Sequence, residues 1–420
     1  MNLYKSFSLY TVASFIERGL AFFLLPIFTF YLTTKDFGIL SLVTSIFSFS
    51  LPLVTLGIQG AISVAYFNGD KRNYPSYFTS SIVTPFIITI FLTLVILIFK
   101  TPIENYLEIP ILWVLTIPIF CFLSFFNSLL LIDYQIKNEP TKYITYSLSN
   151  SCLNILISLL LVILFKLGYQ GRLTGQYFSI IIFSIVGFYI LYKKRELLVK
   201  KINWVNVKDS LSYGLPLVPH ILGAMVINMS DRMFIDYFCG KEELGIYNIG
   251  YVIGSAISIL CAAFANAIIP FSYELFAIGT FEAKAKVVKV YWLFVLVMIV
   301  AGLSVWGLTP LIFKYFIDAK FLGGIKYVPW IVLGYFFQGM YLLFANIIFY
   351  LKKTKILFYL SFVNIIINFS LNYFLIPVLG PMGAAYATCV SFFLFFIMIA
   401  FSCNRIYPLP WMSILIKTNK

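Results

Sequence analysis

Tyr31-Leu32-Thr33-Thr34-Lys35-Asp36-Phe37-Gly38 returns later in the chain as Phe238-Cys239-Gly240-Lys241-Glu242-Glu243-Leu244-Gly245, 207 residues further on. Two more landmarks repeat at nearly the same distance. Asn150 and Asn154 reappear as Asn364 and Asn368, 214 residues later, and Gly168-Tyr169-Gln170-Gly171 reappears as Gly380-Pro381-Met382-Gly383, 212 residues later. Each match alone is weak, but three at one spacing point to an internal duplication. All of them sit at the edge of, or inside, a hydrophobic run. A duplicated membrane protein is commonly a transporter, because two similar lobes can rock about a central site.

Composition sets the class. Apolar residues make up 61% of the 420 and charged residues 11%, far from a soluble globular balance. A spanning helix takes roughly 20 mostly apolar residues. Twelve such spans are predicted at 8–30, 38–66, 77–99, 110–133, 143–166, 172–192, 211–238, 245–272, 287–313, 326–351, 355–378 and 382–404. The expected fold is an all-α polytopic membrane protein with twelve transmembrane helices in two six-helix lobes. Six spans per repeat is an even number, so the lobes should be related by a pseudo-two-fold along the membrane normal. The expected organisation is an N-terminal lobe at 1–192, a basic linker at 193–210, a C-terminal lobe at 211–404 and a tail at 405–420. Glu17 and Arg18 interrupt the first apolar run, which argues against a cleaved signal peptide.

The net charge of +14 is explained by topology rather than by nucleic acid. With the N-terminus inside, twenty of the 30 basic residues fall in inner loops and the tail and eight in outer loops, leaving Arg18 and Arg232 within spans. That bias places both termini in the cytoplasm. The linker KKRELLVKKINWVNVKDS interleaves Leu197, Leu198, Ile202, Trp204 and Val205 with lysines. It reads equally as an interfacial helix on anionic headgroups or as a plain charged tether. Six cysteines show no metal or redox spacing, and a single histidine excludes a His-based metal cluster. No cofactor is expected. Prolines inside spans (26, 52, 85, 118, 216, 219, 270 and 329) should kink their helices.

Ionisable groups at membrane depth are costly and commonly functional. The first span carries Glu17 and Arg18; the seventh carries His220, Asn228, Asp231, Arg232 and Asp236. Asn228, Arg232 and Asp236 keep one-turn spacing, and His220 lies about three turns before Asp231. Arg18 and Arg232 are candidate anchors for an anionic substrate group, because guanidinium matches phosphate oxygens bidentately and stays charged. The plainer alternative pairs them with carboxylates such as Asp236. Glu17, His220, Asp231 and Asp236 are candidates for ion coupling or for charge pairing. Asn150 and Asn154, with Asn364, Asn368 and Asn372, form polar stripes at one-turn spacing on spans five and eleven. Such stripes must face polar neighbours, water or ligand, so they serve either as interhelical glue or as a substrate-binding cavity face.

These residues resemble a known family. Pro26, Tyr31-Leu32 and Asp36-Phe37-Gly38 are similar to the first helix and loop of polysaccharide export proteins of the multidrug/oligosaccharidyl-lipid/polysaccharide (MOP) superfamily. Tyr213-Gly214-Leu215-Pro216, Asp231-Arg232 and Glu243-Leu244-Gly245-Ile246-Tyr247 resemble the start of their second lobe, and Gly380 with Gly383-Ala384-Ala385 the start of their twelfth helix. The nearest branch is the O-antigen (Wzx-type) flippases. The resemblance implies a bacterial inner-membrane flippase that moves an undecaprenyl-diphosphate-linked oligosaccharide from the cytoplasmic to the outer leaflet by alternating access. It also implies membrane lipids, a coupling ion (proton or sodium) and other polysaccharide assembly proteins as partners. It assigns no ligand to Arg18. The lipid II flippase branch has two helices beyond twelve, and this chain has none to match them. A multidrug exporter of the same superfamily shares the expected fold. A membrane-embedded polymerase would need an acid/base pair on a sizeable outer loop, and none is evident.

Overall fold

A computed structural model describes residues 19, 24–68, 74–137, 139–194, 202–351 and 353–411. Among them secondary structure is helical throughout, with no strand. Among the described residues ten segments are long and apolar enough to cross a bilayer, and they overlap ten of the twelve predicted spans. Of the other two, the first span is described only in part, as a helix over 24–31 (α1). The seventh corresponds to a helix interrupted by three charges. The chain is a multi-pass membrane protein. Rows of exposed large apolar side chains, such as Phe86, Ile87, Ile90, Phe91 and Leu94, need lipid as their solvent.

The chain divides into two compact units, Met1–Met225 and Val226–Lys420. In the first, α2 (Thr34–Thr55), α3 (Ile58–Asn68), α4 (Tyr74–Ser81), α5 (Val83–Ile98), α6 (Lys100–Leu107), α7 (Ile111–Ile136), α8 (Pro140–Leu159), α9 (Gly168–Lys193) and α10 (Trp204–Gly214) follow in order. α11 (Val218–Cys239) carries the chain from the first unit into the second. There α12 (Lys241–Ser255), α13 (Ile257–Ile278), α14 (Phe281–Phe316), α15 (Val328–Tyr350), α16 (Thr354–Leu379) and α17 (Pro381–Ile406) complete the fold.

Local chemistry sets the boundaries. Thr33 caps α2 in a capping box with Asp36, Thr280 caps α14 and Asn203 caps α10. Pro140 and Pro381 open α8 and α17, where a missing N–H costs nothing. The second predicted span is broken. After Pro52 the backbone turns left-handed at Leu56 and Gly57 (φ 48° and 67°), separating α2 from α3. Pro329 begins α15 rather than bending it, whereas Pro310 and Pro377, absent from the kink list, lie inside α14 and α16. α8 ends in a π-helical turn, Leu160–Leu164.

The core of the first unit gathers Ile58, Ile62, Phe78, Phe125, Leu129 and Leu191 from α3, α4, α7 and α9. The second unit buries Tyr291 and Phe294 of α14 and Ile331 and Leu343 of α15, with the Tyr291 hydroxyl donating to the Leu343 carbonyl (3.1 Å) and Ile331 packed on Gly254 of α12. α10 is amphipathic. Val207, Ser210 and Gly214 are buried, while Trp204 and Val205 are 67% and 74% exposed. Gly214 meets the Leu56 carbonyl so closely that no side chain fits there, which docks α10 on the turn between α2 and α3.

Candidate functional site

α11 carries Asp231, Arg232 and Asp236 on a mostly apolar helix. Asp231 and Arg232 are 2% and 7% exposed. The guanidinium donates from Nη1 to Asp231 Oδ1 at 2.9 Å. The Tyr247 hydroxyl on α12 donates to Asp231 Oδ2 at 2.6 Å. The guanidinium lies 4.2 Å from the centre of the Tyr251 ring, and the Tyr251 and Tyr335 hydroxyls stand 2.7 Å apart. One carboxylate, one guanidinium and three phenols from α11, α12 and α15 thus form a net-neutral polar group in an apolar surrounding. Burying an ion pair is tolerable only with such hydrogen-bonded company, and losing one partner leaves an uncompensated charge. Further along α11, Asp236 pairs with Lys241 at 3.4 Å, both about 8% exposed.

The asparagine stripe of α16 is wholly buried, with Asn364, Asn368 and Asn372 all at 0% exposure. Asn368 spends its amide across three helices. It accepts from Ser230 on α11 (3.2 Å) and from Asn372 (3.1 Å), and donates to Ser391 on α17 (3.2 Å). Neither polar atom of the Asn364 amide has a hydrogen-bond partner, and the same holds for Thr388 Oγ1 and Asn372 Oδ1. Buried amides are normally satisfied, so Asn364 stands out.

In the first unit the corresponding stripe on α8 is only half-buried. The Ser179 hydroxyl donates to the Asn150 side chain at 2.5 Å. Arg172 on α9 donates from Nη1 to Asn154 Oδ1 (2.7 Å) and Ser158 Oγ (2.8 Å), with its guanidinium 5.2 Å from the Phe28 ring centre. In the sequence Arg172 is one of the eight basic residues of the expected outer loops, Tyr247 enters only as the end of a family motif, and Ser158, Tyr251 and Tyr335 do not stand out. Ser158 was findable, since it extends the Asn150, Asn154 spacing by one more turn, as Asn372 does in the repeat. Arg172 follows Gly171 at the start of α9, so an antiparallel hairpin brings it against the end of α8. The tyrosines carry no signal in a chain with 29 of them.

Glu17 and Arg18 lie outside the described residues. His220 lies in α11, with its side chain outside the description, as does that of Asn228. The structure therefore brings Asp231 and Arg232 together, joins Asn368 to Asn372, and gives Asp236 a lysine.

A separate charge cluster ties the ends of α7, α8 and α9. Asp133, 1% exposed, pairs with Lys137 (2.5 Å) and Lys194 (2.9 Å), and Glu139 pairs with Lys142 (2.8 Å). The hydrogen bond from Lys142, reinforced by Lys194, holds the Glu139 carboxyl below the usual carboxylate range.

The chain is a multi-pass helical membrane protein with a buried ion pair on α11, and comparison with known proteins places its fold. The chain has the fold of a multidrug resistance MATE transporter of the MOP superfamily in its inward-facing conformation, with a TM-score of 0.73 at 14% identity over 96% of both chains. The lipid II flippase MurJ in an inward closed conformation superposes with a TM-score of 0.67 at 18% identity, covering 94% of this chain and 87% of that one. A protein of the Lsg locus of Haemophilus influenzae is 25% identical over 376 residues, 87% of this chain and 90% of its own length. The polysaccharide biosynthesis protein family model matches residues 3–276, and the MatE model matches 216–374. The chain belongs to the polysaccharide biosynthesis protein family.

Proposed function

We propose that this chain flips a polyprenyl-diphosphate-linked oligosaccharide, the repeat unit of a surface polysaccharide such as O antigen, from the inner to the outer leaflet of a bacterial cytoplasmic membrane. The observation that carries this reading is the match to the polysaccharide biosynthesis family over 3–276, on a chain whose fold is shared with a lipid II flippase. The basic bias of the inner loops supports cytoplasmic termini. In this reading Arg18 and Arg232 anchor the diphosphate, with Arg232 presented by Asp231 and the tyrosines around it. The asparagine stripes offer amides to the glycan. A coupling proton or sodium ion is carried or balanced by Glu17, His220, Asp231 and Asp236. The lipid tail stays in the bilayer, and the membrane lipids and other polysaccharide assembly proteins are its partners. Alternating exposure of one site to the two leaflets supplies the movement.

The MatE match over 216–374 supports a second reading, export of organic cations. One assay separates the two. Purified protein in proteoliposomes receives a fluorescent undecaprenyl-diphosphate oligosaccharide, and external quenching reports its leaflet. Protein-dependent exchange supports the flippase; efflux of ethidium without lipid exchange supports the exporter. Arg18→Ala should abolish lipid exchange while leaving the amount of protein in the membrane unchanged, because the sequence puts the charge near the middle of the predicted span 8–30. Normal exchange by that variant removes Arg18 from the site.

A further inference from the structure

The first unit holds a cavity of about 530 Å³ that none of the proposed site residues touches, between α3, α4 and α10. Its size falls within the range of roughly 300–1,000 Å³ typical of small-molecule sites. Its polar lining comes from α4 and α10. The Tyr77 hydroxyl donates to Asp209 Oδ2 at 2.9 Å, and Ser212 and Tyr213 stand beside them. Ala61 and Val64 on α3 form an apolar wall. Gly60 is what lets the Tyr213 ring lie against α3, since a Cβ there would stand 3.1 Å from its edge.

The cavity sits at a defined depth. α10 exposes Trp204 and Val205 and buries Val207 and Ser210, and Ile202 just before it is exposed too. An amphipathic helix with an exposed tryptophan lies at the level of the lipid headgroups. Asn203 and Asn206 fasten α10 to α4 through Ser80 (2.9 Å) and Ser76 (3.5 Å), so the cavity is held at that level. The sugar of a lipid-linked oligosaccharide lies just outside that plane before it moves.

We propose that this cavity binds the glycan of the substrate at the leaflet surface before translocation, with Asp209 accepting from sugar hydroxyls and the Tyr213 ring facing the sugar's C–H surface. The proposal rests on the flippase reading above. The chemistry selects this part of the substrate. Among the described residues that line the cavity, none is cationic, and an exposed carboxylate repels a diphosphate. A carboxylate has about four lone-pair sites, so Asp209 keeps acceptor capacity after its bond to Tyr77. The Tyr77 and Ser212 hydroxyls give their protons to Asp209 Oδ2 and to the Asp209 carbonyl, and keep lone pairs that accept from sugar hydroxyls. An organic cation gains little here, because an ion pair open to water is screened.

The test uses the full chain in nanodiscs. The probe is the lipid-free oligosaccharide released by mild acid from the polyprenyl-diphosphate pool of the cells that express the protein. Saturation-transfer NMR measures its binding. Binding should be saturable and unaffected by inorganic pyrophosphate. It should weaken at least tenfold in Asp209→Asn and a few-fold in Tyr77→Phe, the difference expected between a charged and a neutral hydrogen-bond partner. A merely structural role for the Tyr77–Asp209 bond would lower the melting temperature of both variants without changing glycan affinity, and that pattern overturns the proposal. So does glycan binding by Asp209→Asn equal to wild type, or tetraphenylphosphonium binding that depends on Asp209 and that the glycan does not displace. The lipid-exchange assay on the unaltered chain keeps the two readings apart. Exchange with Asp209-independent glycan binding sinks this site and leaves the flippase. Asp209-dependent binding without exchange supports the site and sinks the flippase.

Discussion

The α8–α9 hairpin of the first unit and the α16–α17 hairpin of the second share one plan. In each, a left-handed glycine (Gly168, φ 55°; Gly380, φ 60°) turns the chain. A second glycine three residues on then lets the returning helix close on the backbone of its partner. A Cβ on Gly171 would stand 3.1 Å from Leu161, and one on Gly383 2.5 Å from the Leu375 carbonyl. Leu161 and Leu375 are 214 residues apart, the spacing of the asparagines. The polar stripes then diverge. The α8 stripe is half-buried and meets Arg172, while the α16 stripe is sealed, with one amide fully engaged and another without partners. The two hairpins share the close packing of the backbone and differ in what their polar side chains meet.

The sharpest break in the comparison is steric. In the first hairpin, Gly175 opposes Ser158, whose backbone nitrogen would be 2.6 Å from a Cβ. Gly175→Ala and Gly383→Ala should each cost about 1–3 kcal/mol as forced overpacking. Gly307→Ala, with nothing within 4 Å, should cost none of it. Melting curves in detergent decide; equal curves for all three would show that the close approach is not needed.

Next in size is the amide stripe. Asn368→Ala strands Ser230, Ser391 and Asn372 and should destabilise by about 1–3 kcal/mol. Asn364→Leu should be neutral or stabilising, because an amide without partners already carries its desolvation cost. If that variant is stable but fails to flip lipid, Asn364 serves transport and not packing. A large loss of stability would mean that the amide is bonded after all.

A smaller difference separates the two entrance loops. Asp36 Oδ2 closes the capping box on Thr33 (2.9 Å) while Oδ1 accepts from the Tyr169 N–H at the start of α9 (3.3 Å). The counterpart of Tyr169 is Pro381, which has no N–H to give. Asp36→Ala should therefore cost about 1 kcal/mol, the usual worth of a cap, and Glu243→Ala distinctly less. The same melting assay measures both.

The mildest effect is on pH. The Glu139 carboxyl is held below its ordinary value, so its pairing with Lys142 and Lys194 contributes fully above the unfolded value near 4.5 and is lost as pH falls through the lower folded value. Melting temperature followed from pH 6 downward (about 3.5 at the lowest) should fall less steeply in Lys142→Ala than in wild type. An unchanged slope would mean that Glu139 titrates as an ordinary surface carboxylate.

Much of this was legible in the chain. Long apolar runs bounded by turn glycines are read as membrane helices, because a helix satisfies its own backbone in a bilayer. The charged character of α11 was equally plain, since Asp231 and Arg232 have no place on a lipid-facing surface. Tertiary structure alone decided who meets whom. Arg172 on Asn154, Tyr247 on Asp231 and Tyr77 on Asp209 join residues from different helices. One-turn spacing orders residues along a single helix, but says nothing of the side chain that a neighbouring helix brings to it.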